Sequence, residues 1–195
     1  MGQVDVAALV AATQCRTIAE IGIGTGRTSL GVAQTLDGDG VLYLFDFQEK
    51  VDTVAAQLRE RGYSNVIACG CSSRRLDSYN WPLAKLLREH DRPLFDFVYL
   101  DGAHTWVHDA LAFLLIDRLL QPGGYVVFDD YDWTIAASPT VNPNRTPIVR
   151  ELYTDEQMHT PQVKWVVDLL VKRDPSYLEI SENQIYRKRP SPLPI

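Results

Sequence analysis

Short apolar runs alternate along most of the chain with stretches in which apolar positions recur every three or four residues. The runs "TIAEIGI" (17–23), "VLYLFDF" (41–47), "NVIACG" (65–70), "FDFVYLD" (95–101) and "YVVFDD" (125–130) are rich in β-branched and aromatic residues and are predicted to be strands. Between them, "EKVDTVAAQLRERG" sets Val51, Val54, Ala55 and Leu58 at helical spacing before Gly62. "HTWVHDALAFLLIDRLLQPGG" does the same with Val107, Ala110, Leu111 and Leu114 before a Pro-Gly-Gly terminator. Strands alternating with helices at this rhythm predict an α/β chain whose parallel strands are joined by right-handed crossovers and covered on both faces.

The last third reads differently. Residues 131–160 carry Pro139, Pro143 and Pro147 among polar neighbours, too long for a plain connector and expected to be a lid or substrate loop. A helix is predicted to start at Thr160-Pro161 and to bury Val163, Val166, Val167 and Leu170. "YLEI" and "QIYRK" around "SEN" predict a closing antiparallel hairpin, after which 190–195 is expected to be a flexible tail. The 195 residues suit a single domain over 1–189.

Charge and cysteine usage narrow the setting. A net charge of −6 argues against nucleic acid as a bulk partner, despite the local basic run "YRKR" (186–189). No apolar run approaches the ~18 residues that would span a membrane. Three cysteines, with no charged-then-apolar leader, point to a reducing cytoplasm.

The chemistry gathers where predicted strands end. "EIGIGTGRTS" (20–29) follows the first strand and opens a helix, so Gly22, Gly24 and Gly26 let the turn pass beneath a ligand. The Gly-Lys-Ser/Thr ending of a P-loop and the last glycine of the dinucleotide pattern are both missing. Glu20, two residues before the first glycine, would instead suit a ligand with a cationic amino-acid group. Twenty residues after Gly26, Asp46 closes the second strand, where an acid can accept the hydroxyls of a ribose or cap a helix.

These pieces, together with "FDFVYLDGAH" and "LLQPGGYVVFDDY", resemble the class I S-adenosylmethionine-dependent methyltransferases over roughly residues 15–189. The stretch "DGAH", followed by a Pro-Gly-Gly strand and "DDY", is similar to the metal-dependent small-molecule O-methyltransferases that include the macrolide-sugar and aminocoumarin-sugar enzymes, and shares acid spacing with catechol-type enzymes. The resemblance implies a Rossmann-like, doubly wound, seven-stranded sheet with its last strand antiparallel. It also implies S-adenosyl-L-methionine as cofactor, with Glu20, Gly22, Gly24, Gly26, Asp46 and Asp101 around it, and Ser72 of "GCS" near the adenine.

Asp101 is expected to end the fourth strand and Asp129 and Asp130 the fifth, so all three emerge at one edge of the sheet. Carboxylates at the ends of apolar strands are costly to desolvate unless a cation meets them. A hard divalent ion, Mg²⁺ first, prefers such oxygens; the alternative is a turn cap at Asp129 and a solvated Asp130. His104, three residues beyond Asp101, is in the resemblance a general base, and otherwise a helix cap or cofactor neighbour. His104 and His108 as an i, i+4 pair for a softer metal form a weaker alternative, since no Glu follows His104 directly. "CSSRR" and Arg145 are candidates for an acidic substrate, and Tyr131, Trp133, Met158 and His159 for the pocket wall.

The expected activity is methyl transfer to a hydroxyl of a small molecule, with Asp101 and His104 in the chemistry. Rivals are a metal-free N- or C-methyltransferase, a nicotinamide-dependent oxidoreductase, and a noncatalytic module that binds the same cofactor. With little sequence ahead of the first strand, the pocket is left to the 131–160 segment and to a second subunit of a homodimer.

Overall fold

A computed structural model describes residues 4–190. The five predicted strands are β1 (Thr17–Ile21), β2 (Val41–Phe47), β3 (Val66–Cys71), β4 (Phe95–Leu100) and β5 (Leu120–Phe128), and the hairpin supplies β6 (Tyr177–Ser181) and β7 (Ile185–Lys188). They form one seven-stranded sheet in the order β3-β2-β1-β4-β5-β7-β6. β1 to β5 pair in parallel, while β7 runs antiparallel to both β5 and β6. This is the α/β Rossmann-like architecture expected from the sequence. The tail expected beyond Pro190 lies outside the described residues.

Alternate residues of the central strands feed two cores, which explains why those strands read as nearly continuous apolar runs. In β4, Phe95, Val98 and Leu100 join one core, and Phe97 and Tyr99 the other. The first core is covered by α4 (Asn80–Glu89), α5 (Trp106–Leu119) and α8 (Gln162–Val166), the second by α1 (Val6–Thr13), α2 (Arg27–Leu36) and α3 (Gln48–Glu60). On α3 the predicted face is the buried one, Val51, Val54, Ala55 and Leu58.

Three local expectations are corrected. On α5 the buried face is Ala110, Ala112, Phe113, Ile116 and Leu119, whereas Val107, Leu111 and Leu114 are exposed. Pro-Gly-Gly lies inside the span of β5 instead of closing α5, because Phe95 pairs with Leu120 and Phe97 with Tyr125, so residues 121–124 bulge between the two pairings. The helix predicted from Thr160-Pro161 begins at Gln162. The Thr160 hydroxyl donates to the Glu156 carbonyl at 2.7 Å and so finishes α7 (Asp155–His159). α8 continues as a π-helical turn, Val167–Val171, closed by the Lys172 N–H on the Val167 carbonyl at 2.9 Å; Val171 is fully buried and Leu170 only half-buried.

The 131–160 segment builds a small core of its own from Ile135, Val149 and Met158, with Trp133, Ala136 and Tyr153 against it. It contains the short helices α6 (Val149–Leu152) and α7, the latter started by a reciprocal Thr154–Gln157 capping box. Asn142 ties the proline-rich part together, donating to the Ser138 carbonyl and accepting the N–H groups of Asn144 and Arg145.

Candidate active site

The chain winds outward from β1 to β3, then returns to lay β4 on the other side of β1. In an open α/β sheet, the crevice at the carboxyl ends of the strands where this reversal occurs is the usual ligand site. A cavity of about 680 Å³ opens there, lined by Gly22, Gly24, Asp46, Asp101, His104 and Asp130 together with Trp133, Pro139 and Val141 from the 131–160 segment.

The glycine turn is built for close approach. Gly22 has φ +82°, and a Cβ on it would lie 1.8 Å from the Asp101 carbonyl oxygen, so only glycine lets the turn rest on the end of β4. Gly24, at φ +51°, lines the cavity and has open space where a side chain would project. Gly26 closes the turn as the left-handed cap of α2, against Val54. Asp46 is held in place by the N–H groups of Ile23 (3.2 Å) and Phe47 (2.7 Å) and by the Lys50 ammonium (3.2 Å).

Glu20 lies beneath the turn, 2% exposed, and its Oε2 and the Ser29 hydroxyl have no hydrogen-bond partner among the described residues. Burial pushes the Glu20 carboxyl up to about 8, and the negative charges of Asp101 and Asp46 add to the shift. The open glycine turn and the Asp46 carboxylate, joined through the Ile23 N–H, stand together on the cavity wall, where they can hold a nucleoside. Ser72 is exposed and is not among the residues lining the cavity. Its N–H and hydroxyl both donate to Asp77 Oδ2, at 2.8 and 2.6 Å, and Asp77 lines the cavity in its place. Those two donors hold the Asp77 carboxyl below the usual range.

On the same cavity, His104 Nε2 lies 2.9 Å from Asp101 Oδ1 and 3.5 Å from Asp130 Oδ2. The ligand atoms of these three residues all lie within 4.8 Å of one another. One divalent ion at roughly 2.0–2.4 Å from each of its ligands fits such a triangle. Asp129 turns away from it: its Oδ2 accepts the Tyr99 hydroxyl at 2.7 Å and its Oδ1 the Asp130 N–H at 2.9 Å. Tyr99 also reaches Asp101 at 3.4 Å, so one buried phenol ties together the ends of β4 and β5. Its pKa is raised by burial first and by the charge of Asp101 next.

Burial opposes charge on the His104 ring, but the bond to Asp101 and the negative charges of Asp101, Asp109 and Asp130 outweigh it and raise the pKa. The Asp130 carboxyl is raised too, by burial foremost, with His104 opposing and Asp129 and Asp101 adding. Both residues sit at positive φ, His104 at +56° and Asp130 at +55°, a conformation that non-glycine residues hold only when their surroundings require it. For His104 part of that requirement is visible. The next N–H back along the chain, at Ala103, donates to the Tyr79 hydroxyl at 3.0 Å, and Tyr79 in turn donates to the buried Asp109. A Cβ on Gly102 would lie 2.6 Å from both the Asp109 carboxylate and the Tyr79 oxygen. The Trp133 ring packs edge-on to His104, with centroids 5.1 Å apart.

Structure therefore gathers Gly22, Gly24, Asp46, Asp101, His104 and Asp130 on one cavity, with Glu20 beneath it and Asp129 supporting it from behind. His108 also lines the cavity, but its Nδ1 is engaged by the Thr105 hydroxyl at 2.8 Å and it is not part of the acidic cluster. Of the suggested wall residues only Trp133 reaches the cavity. Tyr131 is bonded to Asp168, Met158 belongs to the small core and His159 bonds the Asp155 carbonyl. Arg74, Arg75 and Arg145 do not line it. Tyr79, Tyr99, Asp77 and Asp109 were not foreseen. The available signal was Asp109, an acid in step with Ala112, Phe113 and Ile116 on the inward face of a helix.

Known proteins share this architecture. Residues 19–131, from β1 to the residue after Asp130, match the family model of the methyltransferase domain, and the chain belongs to that family. No curated protein matches the sequence. Among solved structures, the chain resembles an O-methyltransferase from Bacillus cereus in complex with SAH: TM-score 0.61, 16% identity, covering 94% of this chain and 78% of that one. It also resembles the O-methyltransferase TomG from Streptomyces achromogenes, involved in tomaymycin synthesis and solved with SAM, at TM-score 0.58, 20% identity and coverages of 94% and 77%. The SAH-bound methyltransferase PaMTH1 from Podospora anserina gives TM-score 0.58, 16% identity and coverages of 94% and 75%.

Proposed function

We propose that the protein is an S-adenosyl-L-methionine-dependent O-methyltransferase that acts on a hydroxyl of a small molecule with the help of a divalent cation, Mg²⁺ first. The observation that carries this reading is the meeting, in one cavity, of an open glycine turn, Asp46 and the Asp101–His104–Asp130 cluster. The family match and the SAM- and SAH-bound O-methyltransferases of similar fold support it. Free thiols at Cys15, Cys69 and Cys71 are in keeping with a cytoplasmic setting.

When bound, the donor supplies an electrophilic methyl on a sulfonium, and the cation supplies charge that favours loss of the acceptor's proton. Gly22 and Gly24 admit the donor against the backbone, Asp46 accepts its ribose hydroxyls, and Glu20 lies beneath its amino-acid end. Asp101 and Asp130 would hold the ion, with Asp129 fixing their strand ends through Tyr99. His104, its basicity raised by the same carboxylates, takes the acceptor proton at Nδ1, because Nε2 carries the proton it donates to the Asp101 carboxylate. Trp133 and the 131–160 segment exclude water and align the acceptor, which is most of what a protein can add to a donor already this reactive.

A second reading is favoured by the mutual reach of the three ligand atoms: His104 is itself a ligand. Methyl transfer to a panel of catechols, sugars and other polyols, followed with and without EDTA, tests the proposal. Activity should fall with chelation, return with Mg²⁺, and drop at least about 100-fold in His104→Ala. Unchanged Mg²⁺ affinity in that variant supports the base role, and weakened affinity the ligand role. Full activity in EDTA would remove the metal from the account.

A further inference from the structure

Helix α5 is apolar on both sides. Its inner face is core, yet its outer face carries Val107, Leu111 and Leu114, exposed by 63%, 47% and 53%. A helix of that kind belongs in an interior, not at a protein surface. The apolar surface also continues onto both neighbours. Trp81, 64% exposed, stands on α4 next to Asn80, whose side chain donates to the His108 carbonyl and so holds this end of α4 against the first turn of α5. On the other side, the exposed Trp106 and Trp165 rings meet edge to face at 6.4 Å, and Leu169 is exposed in the π-helical turn that follows Trp165.

We infer that this outer face of the α4–α5–α8 layer is the interface of a two-fold homodimer. With roughly 150–250 Å² per aromatic side chain, the exposed fractions amount to on the order of 600 Å² of apolar surface. That is as large as the largest patch a soluble monomer usually shows. With a polar rim it approaches the roughly 800 Å² that each partner contributes to a stable complex.

Charge identifies the occupant as a second copy. The α5 ridge ends at Arg118, an exposed cation whose contact with Asp117 is a loose 3.8 Å. At the opposite end, Glu156 is exposed and borders a cleft with Trp106 and Trp165. Two such ridges laid antiparallel about an axis near Leu111 bring each Arg118 toward the other chain's Glu156 and leave the apolar residues facing one another. Self-complementarity of this kind is what a closed two-fold interface requires. The inference does not depend on the reaction assigned to the cavity.

Analytical ultracentrifugation of the full-length protein from about 0.1 to 100 μM tests it, with circular dichroism and thermal melting to confirm that each variant is folded. The wild type should sediment at twice the mass of one chain. Leu111→Glu and Leu114→Glu, both on the exposed face, should weaken dimerisation at least about 100-fold, because each substitution acts twice in a symmetric interface. Arg118→Glu should weaken it as well, and Arg118→Glu combined with Glu156→Arg should restore it. A wild type that is monomeric at 100 μM, whether or not another protein binds this face, overturns the inference. So does a folded Leu111→Glu that dimerises like the wild type. Donor binding, read separately by calorimetry, should be the same in all of these proteins; its absence from the wild type would count against the proposed function and leave the dimer result standing.

Discussion

Glu20 shows at the scale of one residue how the cavity trades stability for a site. A carboxyl raised to about 8 is mostly neutral at pH 7, and its folded-state pKa lies above its ordinary value of 4.5. The stability it contributes is therefore full below pH 4.5 and is lost as pH rises through about 8. Glu20→Gln, permanently neutral, is expected to melt on the order of ten degrees higher than wild type at pH 8.5 while matching it near pH 4, in thermal melts without ligand. Equal pH dependence in the two proteins would mean that Glu20 is not buried as described. The positions of the site acids were readable in the chain because each closes an apolar run, but their partners were not. Asp129 faces Tyr99 and Asp109 faces Tyr79 across 30 residues of sequence in both cases, and only the packed sheet brings such pairs together.

At the scale of elements, periodicity located the helices better than it oriented them. The α3 face was readable because Val51, Val54, Ala55 and Leu58 stand against charged neighbours. On α5 nearly every side is apolar, so spacing alone could not say which side is core. Phe113, in contact with the rings of Phe128 and Tyr177 at 5.9 and 5.6 Å, anchors the true inner face. Phe113→Ala should cost about 3–5 kcal/mol and Leu114→Ala less than about 1, by urea unfolding at concentrations low enough for monomers. The reverse order would restore the face inferred from spacing. The early start of β5 was hidden for a related reason: Leu120 pairs with Phe95 across a bulge that Pro-Gly-Gly disguises as a helix stop.

For the whole molecule, strand order does most of the functional work. Because β4 returns to the side of β1, the glycine turn, Asp46, Asp101 and Asp130 emerge around one crevice although 108 residues separate Gly22 from Asp130. That gathering followed from the alternating pattern and the rules of parallel sheets. What the pattern could not supply was the division of labour within the acidic cluster, which depends on side-chain directions at the ends of two strands. The most direct test is calorimetric titration of S-adenosyl-L-methionine into wild type and Asp46→Ala. One donor should bind per wild-type chain, and the variant should bind it at least about 10-fold more weakly, having lost a charged partner for the ribose. No heat of binding in the wild type, or equal affinity in the variant, would contradict the assignment of this crevice to the methyl donor.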